Sequence, residues 1–430
     1  MMRDAWNWIA PRLRLDARTG QPVARRARPH LPHARTYRHG RRHRLTRRGA
    51  SNVTSSNVSQ PAGAGAPTIS VAMATYNGAR FIREQLSSIA AQTLLPAELV
   101  VTDDGSSDDT VEIVRAFADT APFPVRVHRN AANLGFRGNF MHAIALCTSD
   151  VIALCDQDDV WVPHKLERAI EPFAEPDVVL AYHEAWLIDE AGERLGLARL
   201  HGAPARTPAL SLFPLSNPYG FSMLFRRELL ELSEFWSRSI DNLDSRQCMA
   251  HDQWLFFLAC ALGTIAFIDE PLAGYRQHGS NTYGIEAPIR TRWDRLDRWI
   301  NTRVPEFAHL ARAARVRAEI LDAAIPRLDD PRFDGSWKPR AEQAVGRYRR
   351  LAQHLALRAE AYDAAGLRAR SRAWISLLGN GAYGSQTRWT FGRKAALVDL
   401  GCALASRSVL AGMVARHGSH DLSSGKRTIA

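Results

Sequence analysis

The chain lacks most of the features that mark secreted, membrane-spanning or cofactor-binding proteins. It has five cysteines in 430 residues, and they form neither a CxxC pair nor a disulfide framework, so we expect a reducing, cytosolic setting. The longest apolar candidate for a membrane span, residues 395–415, is interrupted by Asp399 and Arg407. The N-terminus has no continuous apolar segment with a cleavage site, so we predict no secretory signal.

The sequence does have an uneven distribution of charge. Residues 1–66 contain 14 arginines and two aspartates, residues 67–280 contain 28 acidic and 16 basic residues, and residues 281–430 contain 14 acidic and 26 basic residues. We therefore predict three parts, a disordered basic tail and linker (1–66), an acidic folded domain (67–286) and a basic helical region (287–430). The tail is either a solvated extension or a nucleic-acid arm, and its composition favours the first.

The pattern from Thr68 onward predicts an α/β fold. Apolar runs such as "ISVAMATYNG" and "AELVVTDDGSSDDT" end in polar turns, and segments with apolar residues at helical spacing follow them. Strands that alternate with helices indicate parallel βαβ units, whose ligand sites lie at the carboxyl ends of the strands. We therefore predict a Rossmann-like, mostly parallel sheet flanked by helices, followed by helices after Ala287.

The stretch "IALCDQDDVW" places Asp156, Asp158 and Asp159 at the end of an apolar strand. Carboxylates this close repel one another unless a cation lies between them. A DxD pair suits a hard divalent cation that takes its remaining ligands from water and phosphate. Alone, such a pair is more often an ordinary acidic loop.

Two further clusters carry candidate chemistry. Asp104 in "TDDGSSDD" can accept a hydrogen bond from a base N–H, and Tyr76 in "TYNG" can stack on a base, although the plainer interpretations are a turn and core packing. Asp252 in "HDQW" is a candidate general base or an N-cap, and His278 in "YRQHGSN" is a metal or phosphate ligand or a solvated loop residue. Asp108 or Asp109 is expected to cap the next helix.

Together with "NLGFRGNF", "DQDDVWVPHKL" and "GFSMLF", these motifs stand in an order that resembles family 2 glycosyltransferases of the GT-A fold, and among them bacterial rhamnosyltransferase-like members. The resemblance runs from about Thr68 to Asn281, roughly half of the chain. It implies three sets of site residues and one catalytic base. The nucleotide-sugar set is Thr75, Tyr76, Asn77, Asp104, Asn133, Gly135, Asn139 and Asp156; the acceptor set is Gly220, Ser222 and Met223; the metal set, for Mg²⁺ or Mn²⁺, is Asp158 and His278; the base is Asp252.

The resemblance implies an inverting, metal-dependent transfer of a sugar, with rhamnose favoured, from a nucleoside diphosphate to a saccharide or lipid-linked acceptor in cell-surface polysaccharide synthesis. "QTRW" at 386–389 is similar to a motif of processive synthases, but its spacing is one residue short and we predict no such activity. The basic C-terminal helices either lie against the inner face of the plasma membrane or form a solvated cap.

Three rival interpretations are weaker. No GxGxxG follows the first strand, which counts against an NAD-dependent Rossmann protein. A nucleic-acid-binding protein is disfavoured because the excess positive charge lies outside the domain with the clearest pattern. A non-catalytic nucleotide-sugar-binding relative stays open, although the presence of both Asp158 and Asp252 argues against it.

Overall fold

The structure is a computed structural model, and it describes residues 67–198, 204–215, 217–279, 304–384, 389–405, 409 and 412. The predicted basic tail (1–66), the predicted helix "RWDRLDRWI" and most of "QTRW" lie outside the described residues. Among the described residues, no helix is both long and apolar enough to span a bilayer.

The N-terminal half of the domain alternates strands and helices, as the sequence predicted. Its elements are β1 (Ile69–Thr75), α1 (Ile82–Ala90), β2 (Glu98–Asp103), α2 (Thr110–Ala118), β3 (Val125–Arg129), α3 (Gly135–Leu146) and β4 (Val151–Asp156). β1 pairs in parallel with β2 and β4, and β2 pairs in parallel with β3. Because parallel strands end at one edge of a sheet, the polar residues that follow β1, β2 and β4 are brought together.

The second half of the domain extends the same sheet with strands of both directions. It contains β5 (Val160–Trp161), α4 (Lys165–Ile170), β6 (Val178–Ile188), β7 (Arg194–Ala198), β8 (Arg206–Thr207), β9 (Met223–Arg226), α5 (His251–Leu262) and β10 (Thr264–Arg276). The strand order is β3-β2-β1-β4-β9-β6-β10-β5, with β7 on β6 and β8 on β10. β9 is antiparallel to both β4 and β6. The α/β class is confirmed, and the sheet is mixed where the sequence predicted mostly parallel pairing.

Four helices follow, α6 (Val304–Ala324), α7 (Trp337–Asp363), α8 (Leu367–Gly379) and α9 (Arg393–Leu404). This confirms the helical C-terminal region. The helices share one apolar core with α3, α5 and one face of the sheet, while α1, α4 and the other face enclose a second core. Alternate residues of β1 serve the two sides, since Ala72 lies in the first core and Val71 and Met73 in the second.

A buried ion pair fixes α9 to α7. The Asp399 carboxylate is fully buried and accepts a hydrogen bond from Arg358 Nη2 at 2.8 Å, from the Tyr362 hydroxyl at 2.5 Å and from the Tyr383 hydroxyl at 2.9 Å. The Arg358 guanidinium lies 4.4 Å from the centre of the Phe391 ring. With each oxygen paired, this carboxylate is tolerated inside the core.

Replacing Asp399 by Ala should lower the free energy of unfolding by about 3–5 kcal/mol, because it removes the buried carboxylate that Arg358, Tyr362 and Tyr383 bind inside the core. Urea unfolding followed by circular dichroism measures this. The control is Asp322→Ala, which breaks a solvent-exposed pair with Arg349 and should cost under about 1 kcal/mol. Equal losses in the two variants would show that the buried pair has no special weight.

Candidate active site

The ends of three strands meet at one edge of the sheet. In the β1–β2 register Thr75 lies opposite Asp103, and in the β1–β4 register Ala74 lies opposite Asp156. The backbone continues this alignment past the strand ends, where Asp104 N donates to Thr75 O at 2.9 Å. The acidic turn after β2 and the acidic turn after β4 therefore flank the polar turn after β1.

Asp104 lies in a small network of amide groups. Its Oδ1 accepts from Asn130 Nδ2 at 2.8 Å and from Leu134 N at 2.7 Å, and its backbone carbonyl accepts from Asn133 Nδ2 at 3.0 Å. Asp104 as a whole residue is 3% exposed. These hydrogen bonds hold the carboxylate in one orientation, which is what recognition of a base N–H requires.

Asn139 connects this network to the end of β1. Its Nδ2 donates to Thr75 O at 3.1 Å, and its Oδ1 accepts from Asn130 Nδ2 at 2.9 Å. α3 begins at Gly135, whose backbone N–H donates to Asn133 Oδ1 at 3.1 Å. The four residues that the sequence assigned here, Thr75, Asn133, Gly135 and Asn139, are thus joined directly or through one partner.

Asp103 was passed over by the sequence analysis in favour of its neighbour. It is almost fully buried, and its carboxylate accepts from the Thr75 hydroxyl at 3.1 Å, the Ser106 hydroxyl at 2.5 Å and the backbone N–H groups of Gly105 and Ser106. Asp103 therefore shapes the turn. The sequence "DDGS" is typical of such a turn, in which an aspartate accepts from the backbone of the next residues.

The turn after β1 is held by Gln157, which lies between Asp156 and Asp158 in the sequence. Gln157 Oε1 accepts from Tyr76 N and its Nε2 donates to Tyr76 O, both at 3.0 Å. A Cβ on Gly78 would lie 2.2 Å from Gln157 Oε1, so a larger residue would have to displace the Gln157 amide. Asn77 has φ +48° and accepts from Ser107 N at 2.9 Å. The Tyr76 residue is 52% exposed, which contradicts the packing alternative.

The expectation that Asp108 or Asp109 caps the helix after β2 is confirmed at Asp108. Asp108 Oδ1 accepts from Thr110 N at 3.1 Å, at the start of α2, and its Oδ2 accepts from Ala79 N at 3.0 Å. Asp109 is the N-cap residue by position, but its side chain makes no capping hydrogen bond. Asp108 therefore links α2 to the turn after β1.

The acidic turn after β4 lies near a buried lysine, Lys165. Burial, and then the charges of Asp158 and Asp252, raise the pKa of Asp156 to about 7. Burial likewise raises the pKa of Asp159 well above its usual value, followed by the charges of Asp158 and Asp156. The Lys165 side chain is fully buried. Burial lowers its pKa to about 7, although the charges of nearby acidic groups act to raise it. The charge of Asp252, at the start of α5, is among the causes that raise the pKa of Asp156.

Arg276, at the end of β10, ties the same turn to α1. Its Nε donates to Asp158 O at 2.7 Å, its backbone N–H donates to Asp159 Oδ1 at 3.1 Å, and its Nη2 reaches Glu84 Oε2 at 2.6 Å. Two residues later, His278 Nε2 lies 2.7 Å from Asp158 Oδ2. The His278 side chain is 7% exposed, so the solvated-loop alternative is wrong.

Asp158 and His278 have the chemistry of a partial metal site. No group of three or more His, Cys, Asp or Glu side chains is arranged to hold a metal ion within the part of the chain that the structure describes. One carboxylate and one imidazole in contact fit a divalent cation that takes its other ligands from phosphate oxygens and water. The predicted metal residues are thus brought together, and they do not form a closed protein site.

Asp252 lies in the first turn of α5, facing the acidic turn. The N-cap of this helix is Ala250, so the alternative of Asp252 as an N-cap is wrong. Asp252 Oδ2 accepts from Asn217 Nδ2 at 2.8 Å and Oδ1 from its neighbour Gln253 N at 2.8 Å. Burial is the main cause that raises the pKa of Asp252 to about 6, and the charge of Asp241 adds to it.

The predicted acceptor stretch lies against the start of α5. A Cβ on Gly220 would lie 2.6 Å from His251 Nε2 and 3.6 Å from Asp252 Cβ, so the glycine allows this close approach. Ser222 is buried, and Met223 pairs with Tyr182 at the start of β9. Gly220 therefore lies next to the candidate base, whereas Ser222 and Met223 are held inside the fold.

Lys165 is a further residue that the sequence analysis missed. Its Nζ donates to Phe221 O at 2.9 Å and lies 3.7 Å from the centre of the Trp161 ring. It thereby connects the acidic turn after β4 to the 220–222 segment. The signal was available in "DQDDVWVPHKL", where a lysine follows the aspartates within one apolar-flanked stretch.

Most of the domain that makes these contacts matches a known protein family. Residues 70–232 match the model of Glycosyl transferase family 2. Through these residues the chain belongs to glycosyl transferase family 2. The matched span of this glycosyltransferase contains both acidic turns and the 220–222 segment, and it ends before Asp252 and His278.

Two curated relatives and one solved structure are similar to the family 2 chain. An uncharacterized glycosyltransferase of Nostoc sp. is 33% identical over 50% of this chain and 66% of its own length. The dTDP-rhamnosyl transferase RfbG of Shigella flexneri is 28% identical over 55% of this chain and 83% of its own length. TarS residues 1–349 of S. aureus, solved with UDP, is 17% identical with a TM-score of 0.39, covering 84% of this chain and 94% of that one.

Gly78→Ala should lower the free energy of unfolding by about 1–3 kcal/mol, because the added methyl group displaces the Gln157 amide from the Tyr76 backbone. The matched control is Gly346→Ala, in α7, where no atom lies within 4 Å of the new Cβ and the helix should gain about 0.5–1 kcal/mol. Urea unfolding of both variants decides the point; a stabilised Gly78 variant would contradict the packing of Gln157 against this glycine.

Proposed function

We propose that this family 2 glycosyltransferase transfers a sugar from a nucleoside diphosphate to a hydroxyl group of a saccharide or lipid-linked acceptor, with inversion at the anomeric carbon. The observation that carries the proposal is the position of Asp252, a partly buried carboxylate with a pKa of about 6 that faces the acidic turn and adjoins Gly220. A base at this place can take a proton from a hydroxyl on the side opposite the leaving diphosphate.

The donor nucleotide is assigned to the turns after β1 and β2. Asp104 is held in a fixed orientation and accepts from a base N–H, and the exposed Tyr76 ring offers a face for stacking. Asn77 lies in the same turn, and Thr75, Asn133, Gly135 and Asn139 are assigned to the same nucleotide-sugar site, where the buried Thr75 and Asn139 support the network around Asp104. Asp156, at the end of β4, is assigned to the donor sugar.

A divalent cation, Mg²⁺ or Mn²⁺, is assigned to Asp158 and His278. When bound, the ion neutralises charge on the leaving diphosphate. The chain itself fixes this pair, because Arg276 holds the Asp158 carbonyl and the carboxylate contacts His278. Two protein ligands leave room for phosphate oxygens.

The transfer is a single displacement. Asp252 removes the proton of the acceptor hydroxyl, whose oxygen forms a bond to the anomeric carbon while the bond to the diphosphate oxygen breaks and the diphosphate leaves with the electron pair. Positive charge develops on the sugar in such a transition state, and nearby carboxylates favour it. Gly220, Ser222 and Met223 are assigned to the acceptor side. Gly220 adjoins Asp252, and the buried Ser222 and Met223 support this segment from inside the fold.

The donor sugar and the biological setting belong to the same proposal. Rhamnose is favoured because a dTDP-rhamnosyl transferase is among the relatives and aligns over 83% of its length. A role in cell-surface polysaccharide synthesis, in the cytoplasm and at the inner face of the plasma membrane, would bring the chain to a lipid-linked acceptor. Nucleic acid is not expected as a partner, because the candidate site is acidic.

In a panel of dTDP-, UDP- and GDP-sugars with Mg²⁺ or Mn²⁺, we expect metal-dependent release of nucleoside diphosphate from one donor class. Asp158→Ala should abolish metal-dependent donor binding, whereas Asp252→Ala should keep donor binding and lower turnover by about 10²–10⁴-fold. Calorimetry measures binding and a coupled phosphate assay measures turnover. Unchanged transfer in both variants would refute the assignment.

The pH profile of turnover should show one acidic limb that reports Asp252. The carboxylate acts as a base only when ionised, so kcat should fall about tenfold per pH unit below pH 6 and level off above it. Initial rates at saturating donor and metal, measured from roughly pH 4.5 to roughly pH 8 so that they bracket this pKa, provide the test. The residual activity of Asp252→Asn should lack this limb; a limb that persists belongs to another group.

A further inference from the structure

The exposed apolar side chains of this protein are concentrated on its last two helices. Among the described residues, seven of the twelve large apolar side chains that are exposed belong to residues 367–409. On α8 and α9 they include Leu397, which is 74% exposed, and Ile375, which is 59% exposed. We define the C-terminal apolar face by five of these residues. They are Leu367, Ile375 and Leu378 on α8 and Leu397 and Leu404 on α9.

The two helices form an antiparallel pair. Trp374 Nε1 donates to Ala396 O at 3.0 Å, and Arg370 Nε, one turn earlier on α8, donates to Ala403 O at 2.9 Å, later on α9. Moving back along α8 therefore means moving forward along α9. The contacts also show which side of each helix meets the other.

The five apolar residues lie on one outer side of this pair. On α8 the buried residues are Arg370, Ala373 and Leu377, and on α9 they include Ala395 and Cys402. At 3.6 residues per turn, the sides of each helix follow one another around its axis in the order buried side, side that contacts the other helix, and exposed apolar side. The direction of rotation, seen from the N-terminus, is the same in both helices. Because the helices are antiparallel, the two stripes then face the same way, opposite the core.

The exposed charged side chains described on α8 and α9 are positive. Residues 367–404 contain six basic residues and one acidic residue, Asp399, and Asp399 is fully buried against Arg358. Arg368, Arg372 and Arg393 are exposed, and Arg393 lies one turn before Leu397 on the same side of α9. Among the described residues of α8 and α9, the exposed charged side chains are therefore all basic.

We propose that the C-terminal apolar face docks on the surface of an anionic lipid bilayer. A helix pair with an apolar stripe and basic margins is suited to lie in the plane of a membrane, with leucine side chains in the acyl boundary and arginines at the lipid phosphates. A second copy of this chain is a poorer partner, because two identical basic margins would repel one another.

Docking in this way would hold the catalytic body at the membrane. The helices share one core with α5, which carries Asp252, and the buried Asp399 network fixes α9 to α7. The inference deepens the proposed function by naming the surface that brings a lipid-linked acceptor within reach. Vesicle binding itself requires neither donor nor acceptor, so it is tested separately from sugar transfer.

The test is co-sedimentation of the full chain with phosphatidylcholine vesicles, with and without phosphatidylglycerol. Wild-type protein should bind the anionic vesicles, and added salt should weaken binding. Leu397→Ser with Leu404→Ser should weaken it at least about tenfold, because two leucines no longer enter the acyl boundary. Arg368→Glu with Arg393→Glu should abolish the preference for anionic vesicles.

The matched control is Leu94→Ser with Leu95→Ser, which removes two exposed leucines from the loop after α1 and should leave vesicle binding unchanged. Equal losses in the two serine pairs, or no binding of the wild type to anionic vesicles, would overturn the proposal. A wild-type dimer in light scattering that Leu397→Ser with Leu404→Ser dissociates, without vesicle binding, would assign the face to a second copy. Loss of vesicle binding with normal donor binding separates this surface from the active site.

Discussion

The site depends on the groups that hold an acidic edge of the sheet together, the buried Lys165 and the end of β10 at Arg276. Three aspartates lie within four residues at the end of β4, and a fourth faces them from α5. Without compensation, their repulsion would open the turn. The charge of Lys165 opposes the rise in the pKa of Asp156 and Asp159 that burial causes. Arg276 Nε donates to the Asp158 carbonyl, and the Arg276 backbone N–H donates to the Asp159 carboxylate. The folded protein thus supplies part of the positive charge that such an edge requires.

These groups do not fully offset the burial and mutual repulsion of the aspartates. Burial still raises the pKa of Asp156 to about 7 and that of Asp252 to about 6. Groups whose environment opposes ionisation are common at active sites, because the strain is relieved when substrate or cation arrives. An edge built only for stability would have paired each carboxylate, as the Asp399 network does.

Much of the fold and site could be predicted because both depend on strand ends. The apolar runs of β1, β2 and β4 are read directly from the sequence, and parallel pairing brings Thr75, Asp104 and Asp156 to one edge. The antiparallel insertion of β9 could not be predicted, because pairing direction leaves no periodic signal in four residues. The role of Gln157 depends on contacts across 81 residues of sequence, which no local pattern encodes.

The contact between Gly78 and Gln157 has a consequence for how this protein can vary. The amide of Gln157 occupies the space where a side chain at position 78 would go, and it takes the place of a second strand by pairing both backbone groups of Tyr76. A side chain at position 78 fits only if the Gln157 amide moves away from Tyr76. We therefore expect a larger residue at position 78 in relatives to accompany a shorter residue at position 157.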